Sequence, residues 1–348
     1  MFLISPGGMI VKTHKPARLR PVGSGVGRQK ISNRSPRRGE RANEMTDHPR
    51  DHLDLDPALE PQLALLLERH KRSVAKTEWS YQEFLPLEAF RAGAGVGPLS
   101  PTAYMAVETA LLTEVNLPWY TAGLADGLSG CPDPIQEFVR LWTAEEDQHA
   151  TLLESYLMLT GSGDPKARAR LRKGMIAAGW RHSLTPFPGM VYTAMQEAAT
   201  RSFYLCAARA CTKEHPSLGA ALRRIAKDET LHMAFYRDVV KAHLESDPDY
   251  LRPLAAVMLA FEMPWSPSVL LDFKKRRSHL TARGVYRLSD YLGDVVEPLW
   301  SYWTLDRCES EREETKNAHG QLCRYRAAVR EFARREDSQT PRTVTASA

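Results

Sequence analysis

Leu141-Trp142-Thr143-Ala144-Glu145-Glu146-Asp147-Gln148-His149 decides how the chain reads. Its composition is helical, and residues three apart share a helix face. Glu146 and His149 therefore project side by side and can grip one metal ion. A Glu-x-x-His unit on an inward helix face is the ligand pair of di-metal carboxylate bundles. One such unit means little, because average composition supplies about half a match by chance in a chain this long. This chain has two, Glu146/His149 and Glu229/His232, and each follows a glutamate by 32 residues, Glu114 and Glu197. All three positions recur at an offset of 83 residues. Duplication of a helix pair explains that offset, whereas a solvated charge pattern does not.

The spacing also chooses between neighbours. Glu145 lies four residues before His149 and could reach the same face; its counterpart in the second half is Asp228. The 32-residue interval selects Glu146 and Glu229 as ligands, which leaves Glu145 and Asp228 just behind them. Four carboxylates on apolar helix faces are very costly unpaired. Two divalent ions cancel them, with both imidazoles neutral. Carboxylate and imidazole ligation without thiolate suits iron or manganese better than structural zinc, and a redox role favours two Fe ions cycling between Fe2+ and Fe3+. The repeat breaks once: Leu117 stands three residues after Glu114, and Thr200 stands three after Glu197. The Thr200 hydroxyl either assists oxygen chemistry and proton relay or bonds back to its own helix.

Outward from this constellation the pattern is helical. Leu59, Leu63, Leu66 and Leu67 make an apolar stripe, Trp79 to Pro86 reads as an aromatic connector, and Ser100-Pro101 and Asp133-Pro134 read as helix starts. Pro118 cannot donate to the carbonyl of Glu114, so a helix running from 101 through Leu124 should kink beside that glutamate. Further helices are expected near 165–179, 189–213, 217–245, 249–262, 284–305 and 309–335. Alternating strand patterns are scarce. The expectation is an all-α, ferritin-like four-helix bundle with additional helices. A storage protein on that scaffold would be much shorter, so the extra length suggests a substrate pocket and partner surfaces. Apolar residues that could line a channel are Met195, Phe203, Met233 and Trp265, although ordinary core is the simpler use for each.

Residues 1–44 carry ten Lys/Arg against two Glu, a net +8 within a total of +5, so the remainder sums to −3. The basic balance belongs to the tail, and nucleic-acid binding is not inferred. Residues 1–50 read as a disordered basic tail, with Met45 as an alternative true start and an organellar transit peptide as another reading. Residues 51–336 form the helical domain, and 337–348 read as a polar tail. No apolar run is long enough for a membrane span. Five scattered cysteines without a Cys-x-x-Cys suit a reducing compartment. Two basic runs, Lys166/Arg168/Arg170/Arg172/Lys173 and Lys274/Lys275/Arg276/Arg277, could serve an acidic partner or simply be solvated.

In Trp79-Ser80-Tyr81-Gln82-Glu83-Phe84-Leu85-Pro86, Thr113-Glu114-Val115-Asn116-Leu117-Pro118, Trp142 to His149, Gln196-Glu197-Ala198-Ala199-Thr200 and Asp228-Glu229-Thr230-Leu231-His232, the chain resembles the soluble acyl-carrier-protein (acyl-ACP) desaturases. The resemblance spans roughly residues 58–245. It implies a di-iron enzyme that removes two vicinal hydrogens from a saturated acyl chain on ACP, using O2 and electrons from a ferredoxin-type donor. It makes Glu114, Glu146, His149, Glu197, Glu229 and His232 the iron ligands and Thr200 the oxygen-side hydroxyl. It implies an electron route through Trp79, Asp228 and His149, a homodimer and a cytoplasmic location, or a plastid one if the tail is a transit peptide. Val115-Asn116, Asp147-Gln148 and Thr230-Leu231 depart from the plant pattern, which leaves chain length, double-bond position and donor open. Another di-iron oxygenase, hydroxylating or N-oxygenating, and a catalytically inactive relative are the alternatives.

Overall fold

Proline punctuates this chain. In the computed structural model, which describes residues 52–93, 96–180, 184–264, 269–270 and 272–339, a proline fills the first or second position of helix after helix. There its missing N–H is no loss and its fixed φ starts the turn. The helices are α1 (Glu60–Ala75), α2 (Leu87–Arg91), α3 (Pro101–Glu114), α4 (Leu117–Gly127), α5 (Asp133–Leu159), α6 (Pro165–Ala178) and α7 (Pro186–Cys211). They continue as α8 (Pro216–Ser246), α9 (Leu251–Ala260), α10 (Phe273–Ala282), α11 (Leu288–Tyr291), α12 (Glu297–Tyr302) and α13 (Glu313–Gln339). No strand occurs among the described residues. No helix is long and apolar enough to cross a membrane.

Four long helices, α3, α5, α7 and α8, make the core bundle. The α7–α8 pairing is the most extensive in the described chain, α5 packs on both α3 and α8, and α1 lies across α5 and α8. Helix α7 is buried nearly all round, as a central helix must be. Met195 and Phe203 belong to that core. Helices α9 and α13 pack together behind the bundle.

The expected kink beside Glu114 is a full break. Helix α3 ends at Glu114, Val115 and Asn116 turn, and α4 restarts at Leu117 with Pro118 in its first turn. Asp133 proves to be the first residue of α5, not its cap: Pro132 holds the cap position and no side chain caps that end. The stop after α5 is made by Gly161, at φ +61°, where a left-handed residue lets Ser162 N–H reach back to the Leu157 carbonyl at 2.9 Å. The expected helix over 284–305 divides into α11, one wide turn at Leu292–Val296 and α12. Helix α13 runs to Gln339, past the expected boundary at 336. Its end is pinned where Glu336 accepts from the Leu288 backbone N–H at 2.7 Å and Asp337 accepts from the Ser289 hydroxyl at 3.1 Å. The tail over 1–50, most of the C-terminal tail and Trp265 lie outside the described residues.

Candidate metal centre

Helix α3 brings Glu114, α5 brings Glu146 and His149, α7 brings Glu197, and α8 brings Glu229 and His232. Donor atoms of Glu114, Glu146, His149 and Glu229 lie within 4.8 Å of one another, as do those of Glu146, Glu197, Glu229 and His232. The two sets share Glu146 and Glu229, so the six residues could hold two ions side by side. Glu146 stands between the imidazoles, 2.9 Å from Nδ1 of His149 and 2.9 Å from Nδ1 of His232.

Exposure decides what this cluster means. His149, Glu197 and His232 are 0% exposed and Glu229 is 1% exposed. Both Nδ1 atoms, Oε2 of Glu197 and both oxygens of Glu229 are buried without a hydrogen-bond partner. Orphaned polar atoms are rare in native interiors, and five of them crowd into this one cage. A cation is the partner that satisfies them together, so the residues fit a di-metal group. Protonation shows the same demand for positive charge. Burial, then the Glu146 charge, raises Glu114 to about 8. Burial and the charges of Glu146 and Glu197 push Glu229 well above the usual carboxylate range. Burial opposes the charge on His149, but Glu146 and Asp228 outweigh it and raise the imidazole to about 10. These groups favour their protonated forms unless an ion is bound, and metal binding displaces such protons.

The imidazoles are steered from behind, and the two halves cross over. Nε2 of His149 donates to Asp228 of α8 at 3.3 Å, and Nε2 of His232 donates to Glu145 of α5 at 2.9 Å. Each bond turns an Nδ1 toward the cage, the role carboxylates play behind metal-bound histidines. Each carboxylate has a further support from the N-terminal part of the domain. Trp79 donates Nε1–H to Asp228 at 2.8 Å, and His70 Nε2 lies 3.2 Å from each oxygen of Glu145. The chain Trp79–Asp228–His149 is thus continuous, with Arg224 pairing to Asp228 at 2.7 Å and covering the Trp79 ring at 5.1 Å. His70 went unrecognised in the sequence because it has no repeat partner and stands in an ordinary amphipathic helix. Two other unmarked residues hold ligands: Trp142 donates to Glu197 at 3.1 Å, and the Tyr204 hydroxyl donates to Glu114.

The model of the family described as fatty acid desaturase matches residues 52–348, the whole of the chain that carries this cage. The chain belongs to the fatty acid desaturase family. A protein of Mycobacterium tuberculosis named as the acyl-[acyl-carrier-protein] desaturase DesA1 is 29% identical over 273 residues, 72% of this chain and 77% of that one. The chloroplastic stearoyl-[acyl-carrier-protein] 9-desaturase of Spinacia oleracea is 28% identical over 320 residues, 84% of this chain and 79% of its own length. The X-ray structure named for the acyl-ACP desaturase DesA2 of Mycobacterium tuberculosis H37Rv shares the fold, with a TM-score of 0.53 at 19% identity over 75% of this chain and 99% of that one.

In this desaturase the threonine that breaks the repeat is not spent on a carbonyl of its own helix. Thr109, Thr113, Thr143 and Thr193 each donate to a carbonyl four residues back. Thr200 instead accepts from Gln196 Nε2 at 3.2 Å, which leaves its hydroxyl hydrogen for another acceptor. Gln196 and Trp142 also face a small cavity of 20 Å³ that Tyr120, Leu124, Trp180, Tyr192, Thr193 and Pro264 complete. Trp180 and Tyr192 are shared with a larger cavity of 740 Å³ that opens among Leu184, Pro188, Val257 and Phe261. Trp180 and Tyr192 thus separate the larger cavity from a smaller one whose wall includes residues touching Glu197 and Thr200. Met195, Phe203 and Met233 are not among the described lining residues.

Proposed function

We propose that this desaturase converts a saturated acyl chain carried by ACP into a monounsaturated one, with two iron ions held by Glu114, Glu146, His149, Glu197, Glu229 and His232. One CH2–CH2 unit becomes CH=CH; its two hydrogens leave with O2, two electrons and two protons as two waters. The iron pair supplies O2 reduction coupled to hydrogen removal from an unactivated methylene, chemistry no side chain offers. The observation that carries the reading is the cage of orphaned, buried donors, one of which, Glu197, is held by a tryptophan that lines an apolar cavity, in a chain whose relatives are named acyl-ACP desaturases.

The chain's own residues do the rest. Trp142 and Tyr204 hold Glu197 and Glu114 in place, and Asp228 and Glu145 aim the imidazoles. Trp79, half-buried at the edge of the bundle, is where electrons from a ferredoxin-type donor enter, passing by way of Asp228 to His149. Thr200 holds a proton at its Oγ1 beside the reacting carbons. The apolar cavities exclude water and place those carbons, which is the larger part of the protein's contribution. A homodimer in the cytoplasm is the proposed working form; all five cysteines are unbridged, in keeping with a reducing compartment.

The test is the mass of the acyl chain after incubation of iron-loaded protein with acyl-ACP, O2, ferredoxin and its reductase. Loss of two mass units is expected. A gain of sixteen would make the protein a hydroxylase, and an unchanged chain with full iron loading would refute the reaction.

A further inference from the structure

The two basic runs, about a hundred residues apart in sequence, are both fastened to α3. Tyr104 and Glu108 are a helical turn apart on α3, and the Tyr104 hydroxyl donates to Glu108. Arg276 of α10 pairs with Glu108 at 2.7 Å, and His279 of α10 meets Thr102 at 3.2 Å. Arg168 of α6 stands beside the Tyr104 hydroxyl and pairs with Glu154 at 2.9 Å. Val269, ahead of α10, packs against α6 at Gly174. Arg168 and Arg276 are thus used up inside the fold, where they fasten α6 and α10 to the bundle helices. Of the remaining cations Arg277 is half-buried, and Lys166, Arg170, Arg172, Lys173, Lys274 and Lys275 are exposed, with Arg172 reaching Glu154 only at 3.5 Å.

Helix α6 has a further property that a solvated face lacks. Its inner side buries Arg168 and Met175. Its outer side presents Ala169, Arg172, Lys173, Ile176 and Ala177, spaced i, i+3, i+4, i+7, i+8, around an open groove of 390 Å³. All five are exposed. An apolar strip flanked by cations gains nothing from water but complements an acidic amphipathic helix laid along it. The strip also leads to the substrate approach. The carbonyl of Ile176 accepts from Trp119 Nε1 at 2.7 Å, which fixes the last turn of α6 to α4. Four residues beyond Ile176 is Trp180, which lines both cavities.

We infer that the outer face of α6, extended by Lys274 and Lys275 of α10, is where an acidic acyl carrier protein docks a helix so that its acyl arm enters beside Trp180. This rests on the carrier-bound substrate proposed above and adds where that carrier binds. Opposite charge brings the carrier in and sets its orientation, and Ile176 gives the contact its apolar centre.

The test uses the full-length metal-loaded protein and acyl-ACP, with affinity measured against salt. Arg170→Glu/Lys173→Glu and Lys274→Glu/Lys275→Glu should each weaken carrier binding at least tenfold and flatten its salt dependence. Ile176→Asp should weaken binding to a similar degree. Arg334→Glu/Arg335→Glu on α13, equally exposed, should leave affinity at the wild-type value. Unchanged melting temperature and metal content establish that the variants are folded. Wild-type binding that survives all three α6 and α10 variants, or is lost only in the α13 control, overturns the docking site while leaving the carrier-bound substrate standing. No carrier binding by the wild type overturns both. Loss of binding to anionic lipid vesicles in these variants, with carrier affinity intact, assigns the face to a membrane and overturns the inference.

Discussion

His70 and Trp79 do parallel work nine residues apart, and the difference between them separates two jobs. Both support a carboxylate that aims a cage imidazole. Trp79 is half-buried under Arg224 and reaches the edge of the bundle, which suits a route for electrons. His70 is 5% exposed and packs edge-on against Phe138 at 4.9 Å, so it leads nowhere and can only position. Loss of such a support behind a metal ligand costs about 10–100-fold in metal affinity. His70→Ala should weaken one of two bound metal equivalents by about that factor, read by chelator competition. His70→Gln, which keeps an N–H for Glu145, should restore most of it, and equal affinity in wild type and His70→Ala would sink the assignment. The upward shifts of Glu114 and His149 give a second expectation. Glu114, raised from 4.5 to about 8, stabilises the metal-free fold fully below 4.5, and that contribution disappears as pH climbs through about 8. His149, raised from 6.5 to about 10, loses its contribution over that higher window. Metal binds the deprotonated ligands, so loaded protein escapes this loss. The melting-temperature gap between loaded and metal-free protein should widen from pH 6 to pH 9; a constant gap would contradict it.

At the scale of helices, the break between α3 and α4 places Glu114. Pro118 removes the N–H that would bond the Glu114 carbonyl, and the chain turns at Val115 and Asn116. In Pro118→Ala the gain of about 1 kcal/mol from a restored helix bond roughly offsets the added unfolded-state entropy, about 0.4–1 kcal/mol. Stability should barely change, while a straightened helix carries Glu114 away from the cage. The expected result is a near-normal melting temperature with metal content reduced from two equivalents; two retained equivalents would show that the break is incidental. A kink here was legible in the sequence because proline acts locally, though not the full break, and the six cage residues were legible because duplication wrote them twice. Helix α10 was not. Phe273-Lys274-Lys275-Arg276-Arg277-Ser278-His279-Leu280 has no apolar period, and only Phe273 and Leu280 of this helix are buried. Its place comes from Arg276 and His279 meeting α3, contacts between distant segments that no periodicity encodes. His70, Trp142 and Tyr204 escaped for the same reason: each acts through a partner on another helix.

Across the whole molecule, the bundle joins three regions: the cage at its centre, the Trp79 edge, and the apolar approach between α7, α9 and the end of α6. That approach narrows sharply, from 740 Å³ outside to 20 Å³ beside Trp142 and Gln196. The inner space holds about one water molecule, so an acyl chain must displace a side chain to come near the cage. Trp180 is the residue placed to yield. It lines both cavities, packs edge-on against Tyr120 at 5.0 Å and stands 6.4 Å from Tyr192, and it follows the helix stop at Gly179, where φ is +67°. A tryptophan at a constriction excludes bulk by overlap, and its truncation in a packed site typically costs about 3–5 kcal/mol. Trp180 is already partly exposed, so Trp180→Ala should cost less than this while merging the two cavities. The variant should therefore remain folded and metal-loaded but lose discrimination among acyl chains of different length. Supplied with an equimolar mixture of C14 to C20 acyl-ACPs, it should give a broader spread of unsaturated products than wild type, measured by mass analysis of released acyl chains. Trp180→Phe should fall between the two. A product distribution unchanged in Trp180→Ala would mean that the chain reaches the metal by another path, and the junction of the two cavities would then have no part in selecting the substrate.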